Sequence, residues 1–140
     1  MKYQHDGYNW LVRLEKGEKL VASLTELVAK ENIQAAWISG LGAALQSELG
    51  FYDLKSREYN FKTIDKTLEI TSLQGNVSRS GSEPKLHIHG SFSDENMRVF
   101  GGHVKELTVG GTCEIFLHRW FKDELTRSHD DTVGLPLLDL

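Results

Sequence analysis

Residues 16–42, KGEKLVASLTELVAKENIQAAWISGLG, decide the fold, because the hydrophobic period changes inside them. Lys16-Gly17-Glu18 opens a segment whose apolar residues are Leu20, Val21, Leu24, Leu27 and Val28. That spacing is the stripe of an amphipathic helix laid on a core, and it predicts a helix over about 18–31. Asn32 follows Lys30 and Glu31 and is expected to stop the helix in the left-handed conformation. From Ile33 onward, through Ala35-Ala36-Trp37-Ile38, the chain reads as a buried strand ending at Gly40 and Gly42. No second helical stripe of this quality occurs.

Outward from this segment the pattern is that of strands. Upstream, residues 8–15 are rich in aromatic and β-branched side chains. Downstream, strands are expected near 45–53, 58–64, 67–77, 85–92, 103–109 and 112–120. Gly50, Gly75, Gly81, Gly110 and Gly111 supply turns or bulges between or within them. Residues 78–84 and 93–96 read as loops. One helix among many closely spaced strands predicts an α+β fold: an antiparallel-dominated, curled mixed β-sheet with one main amphipathic helix. The 140 residues are enough for one domain with a real core, so 1–140 is read as a single domain. The tail from Asp123 to Leu140 ends Leu135-Pro136-Leu137-Leu138-Asp139-Leu140, an apolar end expected to dock on its own domain or on a neighbouring subunit.

Composition narrows the function classes. Hydrophobic content of 39% and charged content of 26% fit a soluble globular chain. No apolar run approaches the ~20 residues that span a bilayer, and residues 1–6 lack the apolar stretch of a secretory signal. Cys113 is the one cysteine, which fits a reducing cytoplasm and a packed, unreactive thiol. The net charge of −4 and the lack of any basic run argue against strong stand-alone binding of nucleic acid. Neither Gly40-x-Gly42 nor Gly101-Gly102 leads into Gly-Lys-Ser/Thr, so no nucleotide cofactor is expected. Trp10 and Trp37, in apolar strand context, read as core or subunit-interface anchors.

Leu86-His87-Ile88-His89 alternates apolar and imidazole side chains with period two. In a strand both imidazoles share one face, and Leu86 and Ile88 take the other. His103, behind Gly101-Gly102, can supply a third imidazole from the next strand and leave an open coordination position. Taken alone, the spacing is open between a metal or anion site and polar residues on a solvated sheet face. Glu69 and Glu114 are candidates for acid/base work beside such a site, and Arg13 and Arg79 for anion anchoring, each against an ordinary solvated or ion-paired role. His5, His118 and His129 show no spacing logic and receive no role.

Taken together, the chain resembles the PPC domain (plants and prokaryotes conserved), in its stand-alone bacterial and archaeal form. The residues that carry the resemblance are Arg13, Gly17-Glu18, Trp37-Ile38-Ser39-Gly40-Leu41-Gly42, Leu68-Glu69-Ile70-Thr71-Ser72-Leu73-Gln74-Gly75-Asn76, Leu86-His87-Ile88-His89 and Gly101-Gly102-His103-Val104. The resemblance implies a homotrimer and kinship with the acetolactate decarboxylase fold, whose zinc is held by a similar three-histidine set. By that route His87, His89 and His103 are implied as ligands of a divalent metal, foremost zinc, with nickel, cobalt or iron suited to the same donors. Plant members carry Gly-Arg-Phe-Glu-Ile where this chain has Lys66-Thr67-Leu68-Glu69-Ile70, and an AT-hook that this chain lacks. DNA association, which the family label suggests, is therefore the alternative reading. The expected partners are other copies of the chain and a small molecule.

Overall fold

The computed structural model describes residues 1–120 and 124–140. The strands are β1 (Lys2–His5), β2 (Asn9–Glu15), β3 (Ala36–Asp53), β4 (Glu58–Ile64), β5 (Leu68–Ser80), β6 (Glu83–Ser93), β7 (Val99–Arg119), β8 (Arg127–Asp130) and β9 (Leu135–Leu138), and the helix is α1 (Leu20–Lys30). The first seven strands form one sheet in the order β1-β2-β7-β6-β5-β3-β4. Because β3 also pairs with β7, the strands β3, β5, β6 and β7 close into a ring. This is the expected α+β architecture, curled until it meets itself. The ladders are antiparallel, and the one parallel pairing among the described residues is the isolated bridge Arg79–Thr126, so the sheet is scarcely mixed.

Helix α1 buries Leu20, Leu24, Leu27 and Val28 against β6 and β7, while Val21 is only partly buried. Each of the fully buried side chains contributes about 2 kcal/mol of transfer free energy. The helix starts at Leu20, two residues later than expected, and its N-cap position, Lys19, offers no capping side chain. Glu106 of β7 does that work instead. Its carboxylate accepts hydrogen bonds from the amides of Val21 (2.8 Å) and Ala22 (3.2 Å), where the helix dipole favours negative charge. Glu18 meanwhile turns back to accept from the Glu15 amide and the terminal ammonium. Asn32, with φ of 51°, ends the helix in the left-handed region as its position implies.

Two pairs of expected strands are single bent strands. Gly40 and Gly42 do not end a strand; they lie inside β3, where the register against β5 and β7 shifts. A Cβ on Gly42 would lie 2.3 Å from the Thr112 carbonyl oxygen, so only glycine lets β3 pass β7 at the bulge. Gly110 and Gly111 likewise fall inside β7, not between two strands. The segment 78–84 is mostly paired, since β5 and β6 run together down to Ser80 and Glu83. Trp10 is in the core at 3% exposure, whereas Trp37 is 52% exposed and donates its indole N–H to Gln74. Cys113 is fully buried and its thiol is pushed up to about 12 by desolvation first and Glu114 second, as an inert packed cysteine requires.

The apolar tail docks on its own domain. Strands β8 and β9 form a hairpin, tied down by the Arg79 amide to the Leu125 carbonyl (2.7 Å) and by the Tyr52 hydroxyl to the Val133 carbonyl (2.9 Å). Asp123, the first residue of that expected segment, lies outside the described residues.

Candidate metal centre

The site is built on the outer face of the ring, where β6 and β7 run side by side. Ile88 and Val104 point into the core, so period-two alternation turns His87, His89 and His103 to the opposite face. His89 is the cross-strand partner of His103. The Gly-Gly that precedes His103 serves this pairing: a Cβ on Gly101 would lie 2.3 Å from the Gly90 carbonyl oxygen, and one on Gly102 2.9 Å from that of Gly50. Gly75 has the same role beneath His87, since its Cβ would meet the His87 carbonyl oxygen at 2.3 Å. Close approach of backbones is what these glycines supply.

The three histidines each present a ring nitrogen, and these atoms lie within 4.8 Å of one another. The Nε2 atoms of His87 and His89 are 3.2 Å apart. Two imidazoles on one tetrahedral zinc, at ~2.0–2.1 Å each, would have their nitrogens about 3.3 Å apart. Burial, then His89, then Arg127 and His103 hold His87 down to about 4, and burial followed by His89 also lowers His103. Both rings are therefore neutral near pH 7, the form that binds metal. The Nδ1 of His103 is buried without a hydrogen-bond partner, so no protein group occupies that nitrogen. The donor set fits a divalent transition ion: neutral imidazoles with positions left open.

Above the cluster is a cleft of about 450 Å³. Tyr59 leans on His103 with ring centroids 5.0 Å apart, and Gly50 makes room for it, since a Cβ there would clash with the Phe61 and Tyr59 rings. The far wall is the tail hairpin, which contributes Arg127, Leu135 and Leu137. Arg127 donates to Ser78 Oγ (2.8 Å), Asn76 Oδ1 (2.9 Å) and the Pro136 carbonyl (2.9 Å).

The other sequence candidates lie elsewhere. Glu69 is exposed on β5 opposite Ser93, and Glu114 is exposed on β7 opposite Arg13 and Leu41; neither lines the cleft. Arg13 pairs with Glu15 at 3.1 Å, and Arg79 turns to the Ser82 carbonyl. Arg127 adds a guanidinium to the site and Tyr59 an aromatic wall, and neither stands in a motif. Asn76, opposite His87 in the ladder, accepts a hydrogen bond from Arg127 and so ties it to the histidine face. Among the remaining histidines, His5 stacks on Trp10 and His118 bonds to Asn9 at 2.5 Å, both away from the cluster.

Comparison with known proteins places this geometry in context. The profile of the Plants and Prokaryotes Conserved (PCC) domain matches residues 1–120. A metal-containing protein from Archaeoglobus fulgidus is 35% identical, with all of both chains covered and a TM-score of 0.89. A protein from Ralstonia eutropha, provisionally named DNA-binding, is 29% identical over 99% of this chain and 96% of its own, with a TM-score of 0.92. Acetolactate decarboxylase from Bacillus subtilis shares the fold alone, at 12% identity and a TM-score of 0.58, over 79% of this chain and 52% of its own. No curated protein matches the chain.

Proposed function

The chain belongs to the Plants and Prokaryotes Conserved domain family, and from that premise we propose that it is a cytoplasmic homotrimer that binds one divalent metal ion, foremost zinc, per subunit through His87, His89 and His103, with a small molecule in the adjoining cleft. The observation that carries this reading is the convergence of three ring nitrogens within 4.8 Å from two adjacent, glycine-locked strands. A relative that shares 35% of its residues is named as metal-containing, which supports it. When bound, such an ion lowers the pKa of a coordinated water to near ~7 or polarises a carbonyl oxygen. The residues around it define the rest: Tyr59 excludes water on one side of His103, and Arg127 adds a fixed positive charge.

Self-association is supported by the outer face of β2, β3 and β7. Leu11, Leu41 and Phe116 are 58%, 56% and 42% exposed there, with Leu11 directly opposite Phe116. An apolar patch of this kind on a sheet is a candidate for burial between subunits. The number three rests on the family resemblance. The cytoplasmic assignment rests on the lone buried cysteine.

DNA association is the second reading, favoured by the name of the Ralstonia relative. The net charge of −4 weighs against it. Titration of zinc into chelator-treated protein separates the two. The metal reading expects one site per subunit, weakened at least ~100-fold in His89→Ala and in His103→Ala. Heat-free titrations together with salt-sensitive retardation of duplex DNA would establish the second reading in its place.

A further inference from the structure

We propose that the cleft beside the histidines is a site for a small organic carboxylate with an apolar body, seated on Arg127. This rests on the reading of the histidine face as a ligand site and names the class of ligand. The first ground is charge. Arg127 is half-buried in the cleft wall, and its hydrogen-bond partners are a hydroxyl, an amide oxygen and a backbone carbonyl. Among the described residues no carboxylate lies within ion-pairing distance of it. A half-buried guanidinium with only neutral acceptors keeps an uncompensated charge, which an anion would neutralise.

The second ground is geometry. A guanidinium has five N–H groups in a fixed fork, and three of them are engaged here, one on each nitrogen. One N–H on each terminal nitrogen stays free, the arrangement that a carboxylate accepts as a pair. Ser78 and Asn76 of β5 and Pro136 of the tail hairpin hold the fork in place, so little side-chain freedom is lost on binding.

The third ground is the lining. Among the described residues no acidic side chain lines the cleft, and Lys85 adds a second cation to the lining. Leu86, Leu135 and Leu137 give it apolar walls. Arg127 and two of these leucines come from the hairpin Arg127–Leu138, beyond the residues 1–120 that the family profile matches. The strands of residues 1–120 therefore supply the histidines, and the tail hairpin supplies the cation and apolar wall that would select the ligand.

The test uses isovalerate, its neutral isostere isovaleramide, and acetate, titrated calorimetrically into the zinc-loaded and metal-free full-length protein. The expected order is isovalerate at least ~10-fold tighter than either comparator, with Arg127→Met losing that advantage while zinc content and thermal midpoint are monitored alongside. Arg127→Lys, which keeps the charge, should retain part of it. Equal binding of isovaleramide and isovalerate by the wild-type protein overturns the proposal, and so does undiminished isovalerate binding by Arg127→Met. The same holds if the zinc-loaded wild-type protein binds no isovalerate. Should the protein take up no zinc yet bind isovalerate through Arg127, the metal reading falls and the carboxylate cleft stands.

Discussion

His89 and His103 face each other directly across neighbouring strands, with ring centroids 5.5 Å apart and planes crossed at 82°. Their relation is set by backbone, since strand register decides which face each side chain takes. A slip of one residue in β7 would turn His103 into the core and Val104 out to the cleft. Gly101 and Gly102 hold the register by allowing backbones closer together than any side chain permits, and Gly90 leaves the space that the Phe92 ring takes.

That dependence predicts the effect of Gly101→Ala. The new methyl would lie 2.3 Å from the Gly90 carbonyl oxygen, where no flexible side chain can yield. Urea denaturation should show a loss of about 1–3 kcal/mol, and zinc stoichiometry should fall with it. Unchanged stability would mean that the strands are not pinned at this point.

Stability of the metal-free protein should depend on pH in one direction. Burial, followed by the neighbouring His89, holds His87 down to about 4, against an ordinary value of 6.5. Between those values the unfolded chain takes up a proton that the folded chain refuses, so stability is lost as pH falls from about 6.5 toward 4. Thermal melts of chelator-treated protein across that window should show the decline, and His87→Gln should flatten it. A midpoint independent of pH in the wild-type protein would contradict the assigned burial.

Glu106 is expected to matter for α1 despite its distance of some eighty residues in sequence. Glu106→Ala removes the acceptor for the Val21 and Ala22 amides and should cost about 1–2 kcal/mol in equilibrium unfolding. A cost within error of zero would show that water satisfies those amides equally well.

The exposed pair Leu11 and Phe116 gives a test of assembly. Phe116→Asp should convert a particle of three times the 15.8 kDa chain into single chains by light scattering, with circular dichroism unchanged. Wild-type protein that runs as single chains would remove the basis for this prediction.

Much of this arrangement was legible in residue order. The stripe Leu20, Leu24, Leu27, Val28 marks α1, and alternation around His87 and His89 puts the imidazoles on one face because both patterns follow from local geometry alone. The helix start was misplaced because its cap comes from Glu106, which no local signal connects to it. Strands β3 and β7 were divided at glycines because a turn and a bulge need the same residue, and only the neighbouring backbone tells them apart. Arg127, and not Arg13 or Arg79, reaches the cleft because a hairpin folds back over the ring, and no neighbouring residue in sequence marks it.

His87, His89 and His103 are proposed to act as one ligand set. Elemental analysis of protein purified without chelator tests it most directly, with the triple alanine variant prepared in parallel. The expected result is about one divalent transition metal per wild-type chain and none in the variant, with both proteins folded. Wild-type protein that is metal-free as purified and takes up no zinc on addition would contradict it.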